Sequence, residues 1–345
     1  MKTQRVRLDD IAKRAGVSKM SVSLALRNDG SVSQEMRRRI HELAQEMGFV
    51  PNKIARGLTS GKTYTIAAMV GGAMHDDYHN RFLKGATDCA IERGYTLTIG
   101  LTEGDSELER KMLSSFQQMM VDGYLVFHSV DVEAYRSLQQ QGVPFVLYTK
   151  YFDNLDCDYV VCDDVLGGSM MTHHFIGCGH ERIAFVYDKG LKNSSEVKNR
   201  IIGYKQALAA AGIPIDESLL LPYSYSFERD NFAAANPELV QCLGGKDRPT
   251  AIFVCNDVVA SAFYIAIKRM GFRIPEDISI GGYEGVYLGN ILDPSLTTVS
   301  SPIERMGRDA CNLLLDRIEK KLPDEGPIHI QLEPMLTIRN STNRR

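Results

Sequence analysis

The side chains between Ser18 and Arg27 form a surface that contains no acidic group. If this segment is a helix, Met20, Ser23, Leu24 and Arg27 lie on one side, at spacings of three and four residues. The opposite side is apolar and should face a core: Val22, Ala25 and Leu26. Small, apolar and basic side chains suit a helix that lies in the DNA major groove near the phosphates. An ordinary amphipathic helix in a bundle is the alternative, although it more often carries glutamate on its outer side.

Basic residues are concentrated in the same part of the chain. Residues 1–62 contain 13 Lys/Arg and 6 Asp/Glu, whereas the remaining residues contain 27 and 37. The whole chain of 345 residues has a net charge of −3, so a small basic part precedes an acidic body. This distribution favours a local contact with nucleic acid. Chance clustering of charge is the alternative.

Three short helical patterns position this surface. The first runs from Leu8 to Ala15 and is broken by Gly16, after which Ser18 is a good N-cap for the second. Ser33 caps the third pattern and Gly48 closes it. Two short helices joined by a tight glycine turn, with a third packed across them, form a helix-turn-helix.

A short amphipathic segment follows at Pro51. Proline can begin a helix, and Ile54, Ala55 and Leu58 form one apolar stripe. A helix this short is marginal alone in water. We therefore expect it to form when it pairs with its copy in a dimer on DNA, with a plain linker helix as the alternative.

The rest of the chain alternates strand-like apolar runs with amphipathic helical patterns, for example at residues 81–93 and 258–270. This alternation predicts parallel sheets with helices on both faces, and its length suggests two lobes. Ligands in such folds bind beyond the carboxyl ends of the strands, so we expect a cleft between the lobes. The predicted strands are Thr65–Val70, Thr96–Gly100, Gly123–Phe127, Phe145–Tyr148, Tyr159–Cys162, Ile183–Val186, Ala251–Cys255 and Ser279–Gly282.

Composition points to a cytoplasmic protein. No apolar run approaches the roughly 18–20 residues of a membrane span, and the N-terminus lacks the apolar stretch of a secretory signal. The seven cysteines are scattered without CxxC spacing, which suits free thiols in a reducing compartment.

Several chemistries are not expected. His173, His174 and His180 do not have the spacing of a common zinc site. The paired glycines at 71–72 and 281–282 lack the full dinucleotide fingerprint, and no serine lies in a nucleophile-elbow pattern. We therefore predict no metal, no cofactor and no enzymatic activity.

The chain resembles the lac-repressor/galactose-repressor (LacI/GalR) family over nearly its whole length. The N-terminal resemblance rests on LDDIAKRAGVS at residues 8–18, SVS at 21–23 and GFVPNKIARGL at 48–58. The remainder carries, among others, CDDVLGG at 162–168, GHERIA at 179–184, NDVVA at 256–260, IPEDIS at 274–279 and PSLTTV at 294–299.

This resemblance implies an N-terminal all-α helix-turn-helix headpiece at residues 1–50, a hinge helix and linker at 51–62, and an α/β effector-binding core at 63–345. The core would consist of two doubly wound parallel-sheet lobes, similar to periplasmic sugar-binding proteins and joined by three crossovers. Lobe 1 would comprise residues 63–163 and 294–325, and lobe 2 residues 164–293 and 326–345.

The resemblance also implies a sequence-specific transcriptional regulator, foremost a repressor, that acts at the bacterial nucleoid. It would bind a pseudo-palindromic, double-stranded DNA operator as a homodimer, and Leu58 would wedge between base pairs in the minor groove. Many family members carry arginine where this chain has Leu24, so contact with a thymine methyl replaces an arginine–guanine contact. The expected DNA contacts are Arg7, Ser18, Lys19, Met20, Ser21, Ser23, Leu24, Ser31, Asn52, Ala55 and Leu58.

A small polar effector, foremost a carbohydrate, is implied for the cleft, because carboxylate and guanidinium groups suit its paired donors and acceptors. Asp257 could instead cap the helix that starts at Val258, and Arg200 could form a surface or interlobe ion pair. The expected effector contacts are Tyr78, His79, Lys150, Arg200, Asn256, Asp257 and Glu284.

Two other classes of protein are the alternatives. A free small-molecule receptor would have no use for the basic N-terminal part. An NAD-dependent enzyme would need the dinucleotide fingerprint and a catalytic cluster, and neither is found in the sequence.

Overall fold

The protein is described here by a computed structural model that covers residues 6–26, 29–49, 61–71, 77–127, 131–224, 235–323 and 326–345. The chain divides into an N-terminal unit, Met1–Thr63, and a C-terminal unit, Tyr64–Arg345. Within the described ranges, no helix is both long enough and apolar enough to cross a membrane.

The described residues of the N-terminal unit form three helices: α1 (Leu8–Ala15), α2 (Lys19–Leu26) and α3 (Gln34–Glu46). Helix α1 ends because Gly16 adopts a left-handed conformation with φ of 71°. Ser18 Oγ accepts a hydrogen bond from the Ser21 backbone N–H at 3.0 Å, and Ser33 Oγ accepts one from Met36 N–H at 3.4 Å. These caps satisfy backbone donors at the starts of α2 and α3. The predicted helix-turn-helix is confirmed.

The core of this unit is formed by one side of each helix. On α2, Val22 and Ala25 are fully buried and Leu26 is partly buried, as predicted. They pack against buried side chains of the other two helices: Ile11, Ala12, Ala15, Ile40 and Ala44. The remaining side of α2 is therefore directed outward.

The first lobe of the C-terminal unit is built on a parallel sheet. Its strands are β1 (Thr65–Val70), β2 (Thr96–Leu101), β3 (Tyr124–Val126), β4 (Phe145–Tyr148), β5 (Tyr159–Cys162) and β11 (His329–Leu332). They are ordered β11-β5-β4-β3-β1-β2. The accompanying helices are α4 (Asp77–Glu92), α5 (Ser106–Gln118), α6 (Val132–Gln140) and α12 (Ile303–Ile318). The apolar strands β1, β3 and β4 are almost entirely buried, as expected for a sheet that helices cover on both faces.

The second lobe repeats this plan. Its strands are β6 (Ile183–Asp188), β7 (Leu220–Tyr223), β8 (Ala251–Val254), β9 (Ser279–Glu284), β10 (Thr297–Ser300) and β12 (Met335–Thr337). They are ordered β12-β10-β9-β8-β6-β7, and only the pairing of β12 with β10 is antiparallel. The helices are α7 (Asp164–Gly177), α8 (Ser195–Ala210), α9 (Pro237–Gly244), α10 (Asp257–Arg269) and α11 (Leu288–Ile291), with 3₁₀ turns at Lys189–Leu191 and Glu217–Leu219. The predicted class of two doubly wound lobes is confirmed.

The chain passes between the lobes after β5, after β10 and after β11. The predicted lobe boundaries at residues 294 and 326 are wrong by one strand each. Strand β10 pairs with residues 281–284 of β9, and so it belongs to the second lobe. Strand β11 pairs with residues 159–162 of β5, and so it belongs to the first. Each strand supplies hydrogen-bond partners to a sheet edge that would otherwise be open.

Glycines allow the principal helix pairs to pack closely. A Cβ atom at Gly307 of α12 would lie 2.1 Å from the carbonyl oxygen of Phe82 in α4. A Cβ atom at Gly203 of α8 would lie 1.9 Å from the Val165 carbonyl oxygen in α7. No side chain fits at such distances, so these contacts require glycine.

Candidate nucleic-acid interface and ligand cleft

The outer side of α2 is open to solvent. Met20 is 69% exposed, whereas Ser23 and Leu24 are half-buried. Lys19 stands exposed at the start of the helix, and its Nζ lies 3.0 Å from a carboxylate oxygen of Asp9 in α1. An ion pair between exposed groups contributes little to stability, so Lys19 can exchange Asp9 for a phosphate at small cost.

The other predicted DNA contacts of this unit lie at turns and helix starts. Ser18 and Ser21 share a hydrogen bond of 2.9 Å between their hydroxyl groups. Arg7 is exposed directly before α1. Ser31 is exposed in the turn before α3, where its hydroxyl donates to Asp29 Oδ1 at 2.6 Å. The structure therefore places every described residue of the predicted set on the surface or half-buried near it.

Three further predicted DNA contacts, Asn52, Ala55 and Leu58, lie outside the described residues, as does Arg27. The hinge helix and its wedging leucine therefore stay predictions.

A cleft of about 290 Å³ opens between the two lobes of the C-terminal unit. It lies at the carboxyl ends of the strands, where ligands of doubly wound folds bind. The first lobe lines it with Gly71, His79, Gly104, Phe127, Thr149 and Lys150. The second lobe lines it with Asp188, Leu191, Glu196, Val197, Arg200, Asn256, Val258, Val259 and Glu284. Five of the seven predicted effector contacts are among these residues.

Arg200 is held at the cleft by three buried partners. Its Nε donates to Asp164 Oδ1 at 2.8 Å, its Nη1 donates to the Cys255 carbonyl oxygen at 2.6 Å, and its guanidinium lies 3.7 Å from the centre of the Tyr283 ring. Burial raises the pKa of Asp164 to about 6, against the opposing attraction of Arg200. Burial also opposes the charge of Arg200, but Asp164 raises the pKa of the guanidinium well above its ordinary value. Each group thus favours the charged form of the other, against the effect of burial.

The ion pair of Arg200 lies within the second lobe. Asp164 is the first residue of α7 and Arg200 lies in α8, so neither a surface pair nor an interlobe pair is formed. Arg200 nevertheless lines the cleft, as predicted for an effector contact.

Asp257 lies behind the wall of the cleft and not on it. The side chain is fully buried, and Oδ2 accepts hydrogen bonds from the backbone N–H groups of Gly285 at 2.9 Å and Val286 at 3.0 Å. Oδ1 accepts a hydrogen bond from Thr298 Oγ1 at 2.7 Å. Burial raises the pKa of Asp257 to about 7, although these three donors oppose the rise. Asp257 is therefore placed to fix the loop after β9, not to touch a ligand.

Asn256, and not Asp257, is the residue that caps the helix α10. Its Oδ1 accepts a hydrogen bond from Val259 N–H at 2.8 Å and so caps α10. The same residue lines the cleft.

The first lobe contributes an aromatic and cationic wall. The rings of His79 and Phe127 meet edge to face with centres 4.1 Å apart, and Lys150 Nζ lies 5.5 Å from the centre of Phe127. Burial lowers the pKa of Lys150, whereas the carboxylates of Glu196 and Glu109 raise it. Lys150 thus carries a charge that depends on neighbouring acids.

Tyr78 lies beneath this wall. It is buried, and its hydroxyl shares a hydrogen bond of 2.9 Å with Thr149 Oγ1. Thr149 lines the cleft and Tyr78 does not. Tyr78 therefore holds Thr149 in position from behind the cleft surface.

Four lining residues with polar or aromatic side chains were not predicted: Phe127, Thr149, Asp188 and Glu196. Phe127 directly follows β3 and Asp188 ends β6, so their positions at strand ends could have revealed them. Glu196 lies in the first turn of α8 and is only 7% exposed. Its Oε2 forms no hydrogen bond with any described residue.

The two lobes touch beside the cleft. The Tyr151 backbone N–H donates to Ser195 Oγ at 3.0 Å, and Asn199 Nδ2 donates to the Tyr151 hydroxyl at 3.2 Å. Lys198 Nζ lies 3.6 Å from Asp153 Oδ2. These contacts join the loop after β4 to the start of α8, and the described conformation is therefore one in which the lobes meet.

The histidines of the second lobe serve its packing. His174 Nε2 lies 2.9 Å from Thr342 Oγ1, and His180 Nδ1 lies 2.9 Å from Thr250 Oγ1. Across the described part of the chain, no three His, Cys, Asp or Glu side chains are grouped so that they could hold a metal ion.

Comparisons with known proteins agree with both units. Residues 7–52 match bacterial regulatory proteins of the lacI family, and residues 172–342 match the periplasmic binding protein-like domain. The HTH-type transcriptional regulator DegA of Bacillus subtilis (strain 168) is 32% identical over 340 residues, which are 97% of each chain.

Two solved structures of similar proteins cover the whole length. The transcriptional regulator CelR in complex with cellobiose has 28% sequence identity and a TM-score of 0.72, over 98% of this chain and 100% of that one. The lac repressor dimer bound to operator and the anti-inducer ONPF has 21% identity and a TM-score of 0.79, over 99% and 100% of the two chains. This second likeness shows that the fold is the same.

A helix-turn-helix unit with an outward α2, joined in one chain to a periplasmic-binding-protein-like core, defines a DNA-binding transcriptional regulator. The chain belongs to the lacI family of bacterial regulatory proteins.

Proposed function

We propose that this regulator is a repressor that binds a pseudo-palindromic, double-stranded DNA operator as a homodimer, under control of a small polar effector in the cleft. It acts in the bacterial cytoplasm, at the nucleoid, and it catalyses no reaction and needs no cofactor. The outward side of α2, with Met20 exposed between basic and small side chains, is the observation that carries the proposal.

The N-terminal unit supplies the reading surface. Lys19 and Arg7 would contact phosphates, which fix register but carry no sequence information. Met20 and Leu24 would lie against thymine methyl groups, and Ser18, Ser21, Ser23 and Ser31 would donate to bases or phosphates. The hinge residues Asn52, Ala55 and Leu58 would extend this contact into the minor groove. A two-fold dimer would place two copies of α2 in successive turns of the groove, which is why the operator should be pseudo-palindromic.

The cleft supplies the control. His79 and Lys150 belong to the first lobe, whereas Arg200, Asn256 and Glu284 belong to the second, so a ligand makes all its contacts only when the lobes meet. Such a ligand stabilises one arrangement of the lobes by its differential affinity. Because the hinge segment precedes the first lobe in the chain, that arrangement would change how well two hinge helices pair on DNA. A coupling of about 1–3 kcal/mol is typical. Tyr78 would act by holding Thr149 in place, and Asp257 would act by fixing the loop after β9.

The class of effector is proposed from the chemistry of the wall and from one similar structure. Carboxylates, an amide and a lysine on the wall, together with the ring of Phe127, suit the hydroxyls and apolar face of a sugar ring. The CelR structure contains cellobiose.

A salt titration of DNA binding tests the proposal. Operator duplexes selected from a random pool should bind the full-length protein with an affinity that falls steeply with salt, with a log–log slope of about −0.9 per phosphate neutralised. Weak binding that is indifferent to salt would reject the proposed function.

The hinge is tested by Leu58→Gly. This variant should keep the fold of the C-terminal unit and lose specific operator affinity, because the wedge is removed. An unchanged operator affinity would remove Leu58 from the proposed interface.

A further inference from the structure

The residues that line the cleft in both lobes include more acidic than basic side chains. The second lobe contributes the carboxylates of Asp188, Glu196 and Glu284, whereas Lys150 is the basic side chain that the first lobe contributes among the described lining residues. Among the described lining residues of the second lobe, Arg200 is the basic one. Its Nε already lies 2.8 Å from the buried carboxylate of Asp164. A ligand therefore meets more negative than positive charge.

The guanidinium of Arg200 is largely committed to the protein. Its Nε and Nη1 donate to Asp164 and to the Cys255 carbonyl oxygen, and its flat face covers Tyr283. A phosphate or carboxylate ligand is normally gripped by two parallel donors of an arginine. Arg200 has two such pairs of donors, Nε with Nη2 and Nη1 with Nη2, and one member of each pair already donates within the protein.

Glu196 supplies an acceptor that the protein leaves open. The residue is more than nine-tenths buried and lines the cleft, and its Oε2 has no hydrogen-bond partner within the described ranges. A buried carboxylate oxygen without a donor costs more free energy than almost any other polar group. A ligand that brings a donor to this oxygen removes that cost.

The size of the cleft limits the ligand. Its volume of about 290 Å³ is at the lower end of the ~300–1,000 Å³ found for small-molecule sites. A molecule of one ring with its substituents fits this space better than a molecule of two rings.

We propose that the effector is a single-ring, hydroxyl-rich molecule that carries a protonated amine, an amino sugar in chemical class, and that its ammonium group donates to Glu196. The ammonium group also balances the charge of Asp188 and Glu284. Asn256 then binds ring hydroxyls, and Phe127 covers the apolar face of the ring. This inference rests on the proposed function, because it names the ligand class of the same cleft.

Titration calorimetry of the full-length protein tests the ligand class directly. The probes are glucosamine, galactosamine and mannosamine, each compared with its neutral parent sugar, together with the anionic sugars glucuronate and glucose 6-phosphate. At least one amino sugar should bind on the order of tenfold more tightly than its parent, and the two anionic sugars should bind more weakly than either. If no amino sugar binds, or if a neutral or anionic sugar binds as tightly, the inference is wrong.

Two matched variants assign the amine to its acceptor. Glu196→Gln keeps the shape of the side chain and removes its charge, so affinity for the amino sugar should fall by about tenfold or more, with a much smaller change for the parent sugar. Glu181→Gln changes an exposed carboxylate that does not line the cleft, and it should bind both sugars as the unmodified protein does. Thermal unfolding of each variant checks that the fold is kept. Equal losses for the two sugars in Glu196→Gln, or equal losses in the two variants, would overturn the role of Glu196.

Operator binding separates this inference from the function on which it rests. Salt-dependent operator binding without any amino-sugar binding would overturn the ligand class and leave the regulator intact. Amino-sugar binding without salt-dependent DNA binding would support the ligand class and overturn the proposed function.

Discussion

The guanidinium of Arg200 and the carboxylate of Asp164 form an ion pair in which Nε lies 2.8 Å from Oδ1 and neither side chain is more than 4% exposed. The pair joins the first turn of α7 to the middle of α8, the two helices that pack through Gly168 and Gly203. A buried pair of this kind is costly to assemble and much more costly to break, because each charge relies on the other. The position of Arg200 at the cleft is thus set by a contact that no ligand has to provide.

Breaking this pair should destabilise the C-terminal unit severely. Arg200→Met leaves Asp164 buried without its partner, so the free energy of unfolding should fall by about 3–5 kcal/mol. Urea denaturation followed by circular dichroism measures the change. The double variant Arg200→Met with Asp164→Asn removes both charges and should recover a clear part of the loss. If the double variant is as unstable as the two separate losses combined, the pair is not the reason.

Asp257 should make stability depend on pH. Burial raises its pKa from 3.8 to about 7, so the folded protein keeps this proton at pH values where the unfolded chain has lost it. Between these two values the free energy of unfolding falls as pH rises, by up to ~1.4 kcal/mol per pH unit. Asp257→Asn cannot titrate there, so the stability of the unmodified protein relative to this variant should decline from about pH 5 to about pH 7. Subtracting the variant removes the contributions of Asp164 and the exposed acids. A difference that is flat or that rises with pH would contradict the assignment.

Met20 should matter for DNA and not for folding. Met20→Glu places a carboxylate on an exposed position that we propose to lie near phosphates, so operator affinity should fall by at least about tenfold. The melting temperature should hardly change, since surface substitutions usually stay within about 0.5 kcal/mol. Met335→Glu is the matched control, because Met335 is 65% exposed in the C-terminal unit. Fluorescence anisotropy with a labelled operator gives both affinities, and equal losses in the two variants would argue against α2 as the reading helix.

Gly203 should be irreplaceable even by alanine. Because a Cβ atom there would lie 1.9 Å from the Val165 carbonyl oxygen, Gly203→Ala must push α8 away from α7, and we expect a loss of about 1–3 kcal/mol in the free energy of unfolding. A Cβ atom at Gly177, the last residue of α7, would meet no other described atom within 4 Å, so Gly177→Ala should be neutral or stabilise by up to about 1 kcal/mol. Chemical denaturation of both variants measures the contrast. Similar values for the two glycines would show that the helices can separate without cost.

Much of the fold could be predicted because its strongest elements are local patterns. The strands β1, β4 and β5 have the predicted bounds, since a short apolar run that is buried on both faces begins and ends where its composition changes. The strands that escaped prediction are edge or polar strands. Strand β10 reads TTVS and β7 contains Pro222, while β11 and β12 close sheet edges with partly exposed residues. The residues of these segments do not by themselves favour a strand, and the segments become extended because they pair with strands that are distant in the sequence.

Site residues could be predicted where their position in a motif places them at the cleft. They could not be predicted where a contact with a distant residue decides whether the side chain faces the cleft. Asn256 and Asp257 are adjacent in the chain, yet Asn256 caps α10 at the cleft and Asp257 points to Gly285 and Thr298. Nothing in the local sequence tells which of the two faces a ligand. Glu196 was missed because an acid in the first turn of a helix is ordinary, and nothing in the local sequence shows that this one is buried.

The order in which the strands are assembled bears on how the protein is made. Both sheets receive their last strand from residues 329–337, one strand each, after the chain has left the second lobe at the end of β10. A nascent chain that stops before His329 therefore leaves an unpaired edge on each sheet at once. Neither sheet is therefore complete until residues 329–337 have been translated, so a shorter product would leave an open strand edge on both lobes.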